Sequence, residues 1–338
     1  MQKTMISRAV TLAVLMSVAF LYALPHSLFA QESVDTSEVS SPSYIYDTVP
    51  NAEDVIGDFV VGPGKAELSV APRTSKTIDI TITNRTGVTR DFIFSIEDVS
   101  GSRDGSSAVI LLGEDRGPYT LKDYIQIPTE PITLKQGQRV KVPITITVPL
   151  DAEPGGRYGS VLVETVSQKI EETETMAARS PLVARIGTLF FLTIPGDAKT
   201  EGSLQEFTTV PKSHIFNSGP IDFSLLYENT GSVHINPYGE IRITNMLGEE
   251  VGFVELEPWF ALPDSLRLRE VTWNRDFLVG RYTATAHINR GYDDIIDTME
   301  ISFWVIPWKL AGVTFGIIFI ILYTIRTFFK RFEFKRKD

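Results

Sequence analysis

Four histidines, no cysteine and two short acidic runs are the groups in this 338-residue chain whose types do chemistry. Without cysteine there is no disulfide framework, thiolate metal site or cysteine nucleophile. His26 lies in an N-terminal apolar stretch. His214, His234 and His287 stand far apart, with no HxH or HExxH spacing to bring two imidazoles onto one ion. Glu97, Asp98 and Asp104 form one acidic set and Asp293, Asp294 and Asp297 the other. Neither follows the EF-hand order that gathers the six to eight oxygens calcium takes, so both read as solvated loop charge, with a loop calcium site left open. There is no GxSxG and no glycine-rich phosphate loop. Carboxylate pairs of the kind that hydrolyse sugars are not nominated by any spacing. The expectation is a chain with no catalytic residues, no metal and no cofactor, hence not an enzyme.

Two further sets suggest contact rather than catalysis. "ELEPWFALPD" places Trp259 and Phe260 between Pro258 and Pro263. Adjacent strand residues face opposite ways, so at least one faces outward unless the loop folds back as a plug; both are candidate partner-binding residues. Asn84 in "NRT" matches a glycosylation acceptor. The tripeptide Gly-Arg-Tyr occurs at 156–158 and again at 280–282, each time opening an apolar run.

Positioning these residues falls to strands. "TIDITIT" sets Ile78, Ile80 and Ile82 on one face, and "RVKVPITITV" does the same with Val140, Val142, Ile144, Ile146 and Val148. Pro143 has no N–H and predicts an edge or bulged strand there. The pattern restarts in "IDFSLLYENTG", "YGEIRITN", "SLRLREVTW" and "RYTATAHIN", with Trp273 at an inward position. Short strands with polar turns and no long amphipathic helix predict an all-β fold of two tandem immunoglobulin-like β-sandwich domains, at 55–198 and 199–303. Gly87 aligns with Gly231, Gly156 with Gly280 and Pro195 with Pro307. On this alignment Tyr158 and Tyr282 are structural tyrosine corners, each hydroxyl turned back on its own backbone, with Gly156 and Gly280 giving the tight turns.

The ends are apolar. Lys3 and Arg8, the run "AVTLAVLMSVAFLYAL" and "SLFA" read as a signal peptide over 1–30, the alternative being an uncleaved signal anchor, and either reading sends the residues beyond about 31 across the membrane. Residues 31–54, rich in Ser, Thr and acid, read as a flexible linker. The stretch 304–325 is predicted to be one C-terminal transmembrane helix, with Trp304, Trp308 and Lys309 as membrane-interface anchors. Residues 326–338 are a basic tail that the positive-inside rule places in the cytoplasm. The expectation is a single-pass type I protein of the cell membrane with an extracytoplasmic body. Between 31 and 300 there are 23 Lys and Arg against 40 Asp and Glu. So acidic a body offers no basic stripe for nucleic acid.

"FVVGPGKAELSVAPRTSKTIDITITNRTG", "ITLKQGQRVKVPITITVP" and "DAEPGGRYGSVLVE" resemble the first domain of the WxL-interacting proteins of bacterial cell surfaces. "LLYENTGSVHINPYGEIRI" and "GRYTATAHIN" are similar to their second domain. The resemblance implies peptidoglycan binding by the first domain and a protein partner for the second, with membrane lipid met only through the anchor. It brings no ligand residues that match positions here, and the acidic stretch 168–180 sets this chain apart. A structural or assembly module that pairs with an envelope protein by β-strand addition, with the Pro143 strand as one platform, is the alternative.

Overall fold

A computed structural model describes residues 44–50, 57–166 and 184–331. The signal reading, the stretch 168–180 and the last seven residues of the tail lie outside the described residues. The first sandwich is built from β1 (Ile45–Thr48), β2 (Val60–Gly62), β3 (Lys65–Ser69), β4 (Ser75–Thr83), β5 (Arg90–Ser100), β6 (Ile110–Leu111), β7 (Ile125–Gln126), β8 (Ile132–Leu134), β9 (Gln138–Thr147), β10 (Gly155–Thr165) and β11 (Arg185–Ile194). One sheet runs β1-β9-β4-β2 with β7 also on β9; the facing sheet runs β3-β11-β10-β5-β6 with β8 also on β5. β4 meets β9 with Ile78 opposite Ile144, Ile80 opposite Val142 and Ile82 opposite Val140. Period-two patterning thus puts both apolar rows on one face, and from Ile80 and Val140 inward they are buried, as are Phe92, Val161, Val163, Phe190 and Leu192 of the other sheet.

The second sandwich comprises β12 (Gly202–Val210), β13 (Ile215–Phe216), β14 (Ile221–Asn229), β15 (Tyr238–Asn245), β16 (Glu250–Leu256), β17 (Ser265–Trp273), β18 (Gly280–Asn289) and β19 (Ile296–Val305). Its sheets run β12-β14-β17 and β13-β19-β18-β15-β16. The order β19-β18-β15 repeats β11-β10-β5, and β14-β17 repeats β4-β9. Phe223, Leu225, Tyr227, Ile241, Ile243, Ala284, Ala286, Ile288, Trp273 and Phe303 fill the core. The helix α1 (Trp308–Arg331) follows, apolar and exposed along its length.

Three expectations change. The linker contains a strand: β1 pairs with β9 from Ile45 opposite Lys141 to Thr48 opposite Gln138, although all four of its side chains are exposed. β9 is no free platform, because β1 covers 138–141 and β7 covers 145–146 on its outer side. Pro143 stands in the gap between them. The Thr147 amide reaches the Tyr124 carbonyl on that outer side, and amides two apart point the same way, so proline's missing N–H falls where no strand needs it. Finally, Trp304 belongs to β19, and the helix begins at Trp308 and continues past 325 to Arg331.

Candidate functional site

The two Gly-Arg-Tyr copies occupy equivalent strands and do different things. The Tyr282 hydroxyl accepts from the Val279 amide at 3.1 Å and donates to the Val279 carbonyl at 3.2 Å, three residues back in its own chain corner. Gly280 supplies the turn with a φ of 104°. Tyr158 is not a corner of this kind. Its ring is buried and its hydroxyl accepts the backbone amide of His234, in the other sandwich, at 2.5 Å, with Nδ1 of the same histidine at 3.2 Å. Gly156 makes no left-handed turn. A Cβ there would collide with the Tyr158 hydroxyl, so the glycine clears the way for the ring to reach across.

Around that bond the sandwiches are joined by main chain as well as side chain. The Gly156 amide donates to the Ser232 carbonyl at 2.9 Å, and the Leu266 amide of β17 donates to the Ser102 carbonyl at 2.9 Å. The segment after β5 therefore lies along β17 as a partial extra strand, its turn held by Asp104 between Ser102 and Ser106. Those hydrogen bonds keep the Asp104 carboxyl down at about 2. The Tyr119 hydroxyl donates to Asp264 at 2.8 Å. Val99, Tyr158, Phe191 and Leu262 form a small apolar cluster between the sandwiches. Clefts of about 300 Å³, by Arg103, Tyr119 and Asp264, and about 400 Å³, by Pro195, His234 and Tyr292, flank the junction.

The two aromatic contact candidates take different places. Trp259 is buried at 5% exposure and packs edge-on against Tyr227 at 6.4 Å, as the plug that the two prolines allow. Phe260 crosses the junction to meet Phe191 edge-on at 5.0 Å. It is also the centre of a cation cluster, with Lys65 Nζ 5.2 Å and Arg267 Cζ 6.0 Å from its ring centroid. Lys65 pairs with Glu67 at 2.6 Å, and Glu67 stands 3.8 Å from His234. Arg267 and its neighbour Arg269 lie opposite Tyr227 and Leu225 on the row of β17 that also carries the core residue Trp273. Both Nε atoms are buried without a hydrogen bond, and neither arginine has an ion pair among the described residues. Burial, then the charge of Arg269, lowers the affinity of Arg267 for its proton.

This cluster was open to a sequence argument. If Trp273 points inward in "SLRLREVTW", period two carries Arg269 and Arg267 to the same side. The acidic sets do structural work. Asp98 is fully buried and accepts the amides of Leu121 at 2.9 Å and Lys122 at 3.2 Å, while Asp297 pairs with Arg290 at 2.6 Å. No group of three metal-ligating residues occurs among the described residues. Asn84, the sequon residue, is buried, its amide donating to Val88 and Leu134 carbonyls at 2.8 Å each. Trp304 is 45% and Trp308 61% exposed, with Lys309 Nζ 5.8 Å from the Trp308 ring.

No protein-family model and no curated protein matches the chain. Solved structures similar to it include the class 5 fimbriae chaperone CfaA, at 9% identity and a TM-score of 0.37 over 73% of this chain and 99% of that one. The E. coli chaperone DraB shows 13% identity and a TM-score of 0.34 over 74% and 98%. The Salmonella enterica SafA pilin in complex with the SafB chaperone gives 12% and 0.33 over 73% and 96%. None of these carries the WxL-interacting name; the tandem immunoglobulin-like sandwiches are read from this chain's own strands.

Proposed function

We propose that this chain is a non-enzymatic, membrane-anchored protein of a bacterial cell surface whose joined sandwiches bind an anionic envelope ligand, peptidoglycan being the favoured one, at Lys65, Phe260, Arg267 and Arg269. The observation that carries the reading is the pair Arg267 and Arg269. Two neighbouring guanidinium groups, without carboxylate partners among the described residues, are held half-buried in a body with a large excess of acid. Like charges so placed cost free energy that a bound carboxylate or phosphate relieves, and arginine's planar fork suits both. Peptidoglycan carries free carboxylates on its peptide stems. The helix α1 supplies the anchor: its 24 residues span about 36 Å at ~1.5 Å each, against ~30 Å of hydrocarbon. Arg326, Lys330 and Arg331 mark the cytoplasmic end.

The test is co-sedimentation of the detergent-solubilised chain with purified sacculi, beside a chain carrying Arg267→Gln and Arg269→Gln. Loss of about tenfold or more in the bound fraction for the double variant, and steep weakening with salt, is expected. Wild-type pelleting by the variant, or none by either, overturns the reading.

A protein partner added to β16 is the second reading. Among the described residues β16 is a seven-residue edge strand paired with β15 alone, and it presents Phe253 at 49% exposure. β17 is poorly suited, because the Ser102 carbonyl already occupies its edge. A photocrosslinker at Phe253 that captures one protein in intact cells would support it, and crosslinks to lipid or to nothing would oppose it.

A further inference from the structure

The end of the second sandwich nearest α1 is apolar in a way the rest of that sandwich is not. Between residues 199 and 307, the exposed large apolar side chains elsewhere are Tyr238, Phe253, Ile295 and Ile296. The others gather at the loops where β12, β15 and β19 end and β14, β16 and β18 begin. Leu247 is 78% exposed, Met246 69%, Phe277 68% and Ile215 62%. They are neighbours in space: Ile215 pairs with Trp304, Gly280 pairs with Val305, and the Met246 sulfur lies beside Gly280. Loop tips are ordinarily polar, and four apolar side chains at this exposure on one end form the kind of patch that marks an interaction surface. At the opposite end the aromatic and aliphatic loop residues Trp259 and Leu262 are buried.

What covers this collar is fixed by connectivity. Only Ile306 and Pro307 separate the end of β19 from Trp308, the first residue of α1, and two residues reach about 7 Å at most. The helix starts at once, with the Ala311 amide on the Pro307 carbonyl at 2.9 Å. If α1 crosses the bilayer, the collar has no room to stand clear of it. An apolar cleft of about 380 Å³, between Trp304 and Ile306 on one side and Leu310 and Phe315 on the other, continues the same surface down to the helix.

We infer that this collar is a lipid-binding surface: Ile215, Met246, Leu247 and Phe277 seat in the headgroup and upper acyl region of the outer leaflet, with an acyl chain in the cleft beside α1. The inference rests on the anchor reading of α1. Seating the sandwich makes the anchor a rigid mount, so the cation cluster at the far end of the sandwich is held at a fixed height.

The chain has no cysteine, so single-thiol labels report one site each. Full chains bearing Leu247→Cys, Phe277→Cys, Phe253→Cys or Ile318→Cys are labelled with an environment-sensitive fluorophore and reconstituted into phosphatidylcholine–phosphatidylglycerol vesicles with and without a shallow spin-labelled lipid quencher. Labels at 247 and 277 should emit to the blue of the label at 253 and lose about half their intensity to the shallow quencher, as groups seated ~5–10 Å into the interface do. The label at 318 should be protected from aqueous iodide. If 318 is protected while 247 and 277 behave like 253, the collar is not on lipid and the anchor stands. If 318 is open to iodide, the anchor reading fails and this inference with it.

Discussion

The His234 backbone amide in the second sandwich donates to the Tyr158 hydroxyl of the first at 2.5 Å. A main-chain donor on one domain is thus satisfied by a side chain rooted in the core of the other. Tyr158→Phe keeps the ring packing on Phe191 at 5.3 Å but leaves that amide unsatisfied. A buried donor without a partner costs about 1–3 kcal/mol, so the midpoint of chemical unfolding should fall accordingly. An unchanged midpoint would show that this hydrogen bond contributes nothing to stability.

His234 also makes the junction pH-sensitive. Burial holds its proton affinity below the ordinary histidine value, against the opposing pull of Glu67 and with the added push of Lys65. The folded state therefore prefers neutral imidazole and binds fewer protons than the unfolded chain. Stability from this group is complete above the unfolded value of about 6.5 and falls as pH drops below it towards the folded value. Glu67, whose own affinity is lowered, contributes above about 4.5 and is lost lower down. Unfolding free energies between pH 7.5 and 5 should decline in the wild type, and His234→Gln should flatten the decline. Equal slopes in both proteins would place the titration elsewhere.

Period-two alternation made the core strands legible, because every second residue from Ile78 to Ile82 in β4 and from Val140 to Ile146 in β9 is aliphatic and that face is largely buried. The contacts across the junction were not, since Gly-Arg-Tyr reads the same in β10 and β18. Only the fold shows Gly280 in a left-handed turn and Gly156 clearing space for a hydroxyl that leaves its own domain. β1 was invisible for the opposite reason: all four residues are exposed, so no burial pattern marks them. Trp259 and Phe260 looked like a surface because prolines flank them; long-range packing buries Trp259 and leaves Phe260 half-buried against Phe191.

The repeat is sharpest at two buried asparagines. Asn84 Oδ1 receives the Thr86 amide at 3.0 Å, and Asn229 Oδ1 receives the Gly231 amide at 2.9 Å. Asn84 Nδ2 donates to Val88 and Leu134, and Asn229 Nδ2 to Val233 and Ala261. The match therefore pairs Asn84 with Asn229 and Thr86 with Gly231, shifting the glycine alignment by one residue. Asn229→Asp sets a carboxylate oxygen against two carbonyls and should destabilise by about 2–4 kcal/mol at pH 7. Because the lesion is repulsion between a charge and two acceptors, acid should restore part of the loss. A variant whose unfolding midpoint matches wild type at pH 7 would refute this role.

Gly101 decides how tightly the domains close. A Cβ built there would strike the Ser265 side chain and stand 3.3 Å from that of Leu262. Ser265 cannot simply swing away, because its hydroxyl donates to the Leu262 carbonyl at 2.7 Å in a buried position. Neither sandwich core includes Gly101, so Gly101→Val should leave the strands of both intact and push the junction apart. Three consequences follow together. The Leu266 amide loses the Ser102 carbonyl, the Tyr158 hydroxyl is drawn from His234, and Phe260 loses its edge-on contact with Phe191. Hydrogen exchange should therefore rise at the amides of Leu266, His234 and Gly156 while β4, β9, β14 and β18 stay protected. Rising exchange across all strands would mean that the domains fold only as a pair, and no change anywhere would mean that the junction yields to an added side chain without cost.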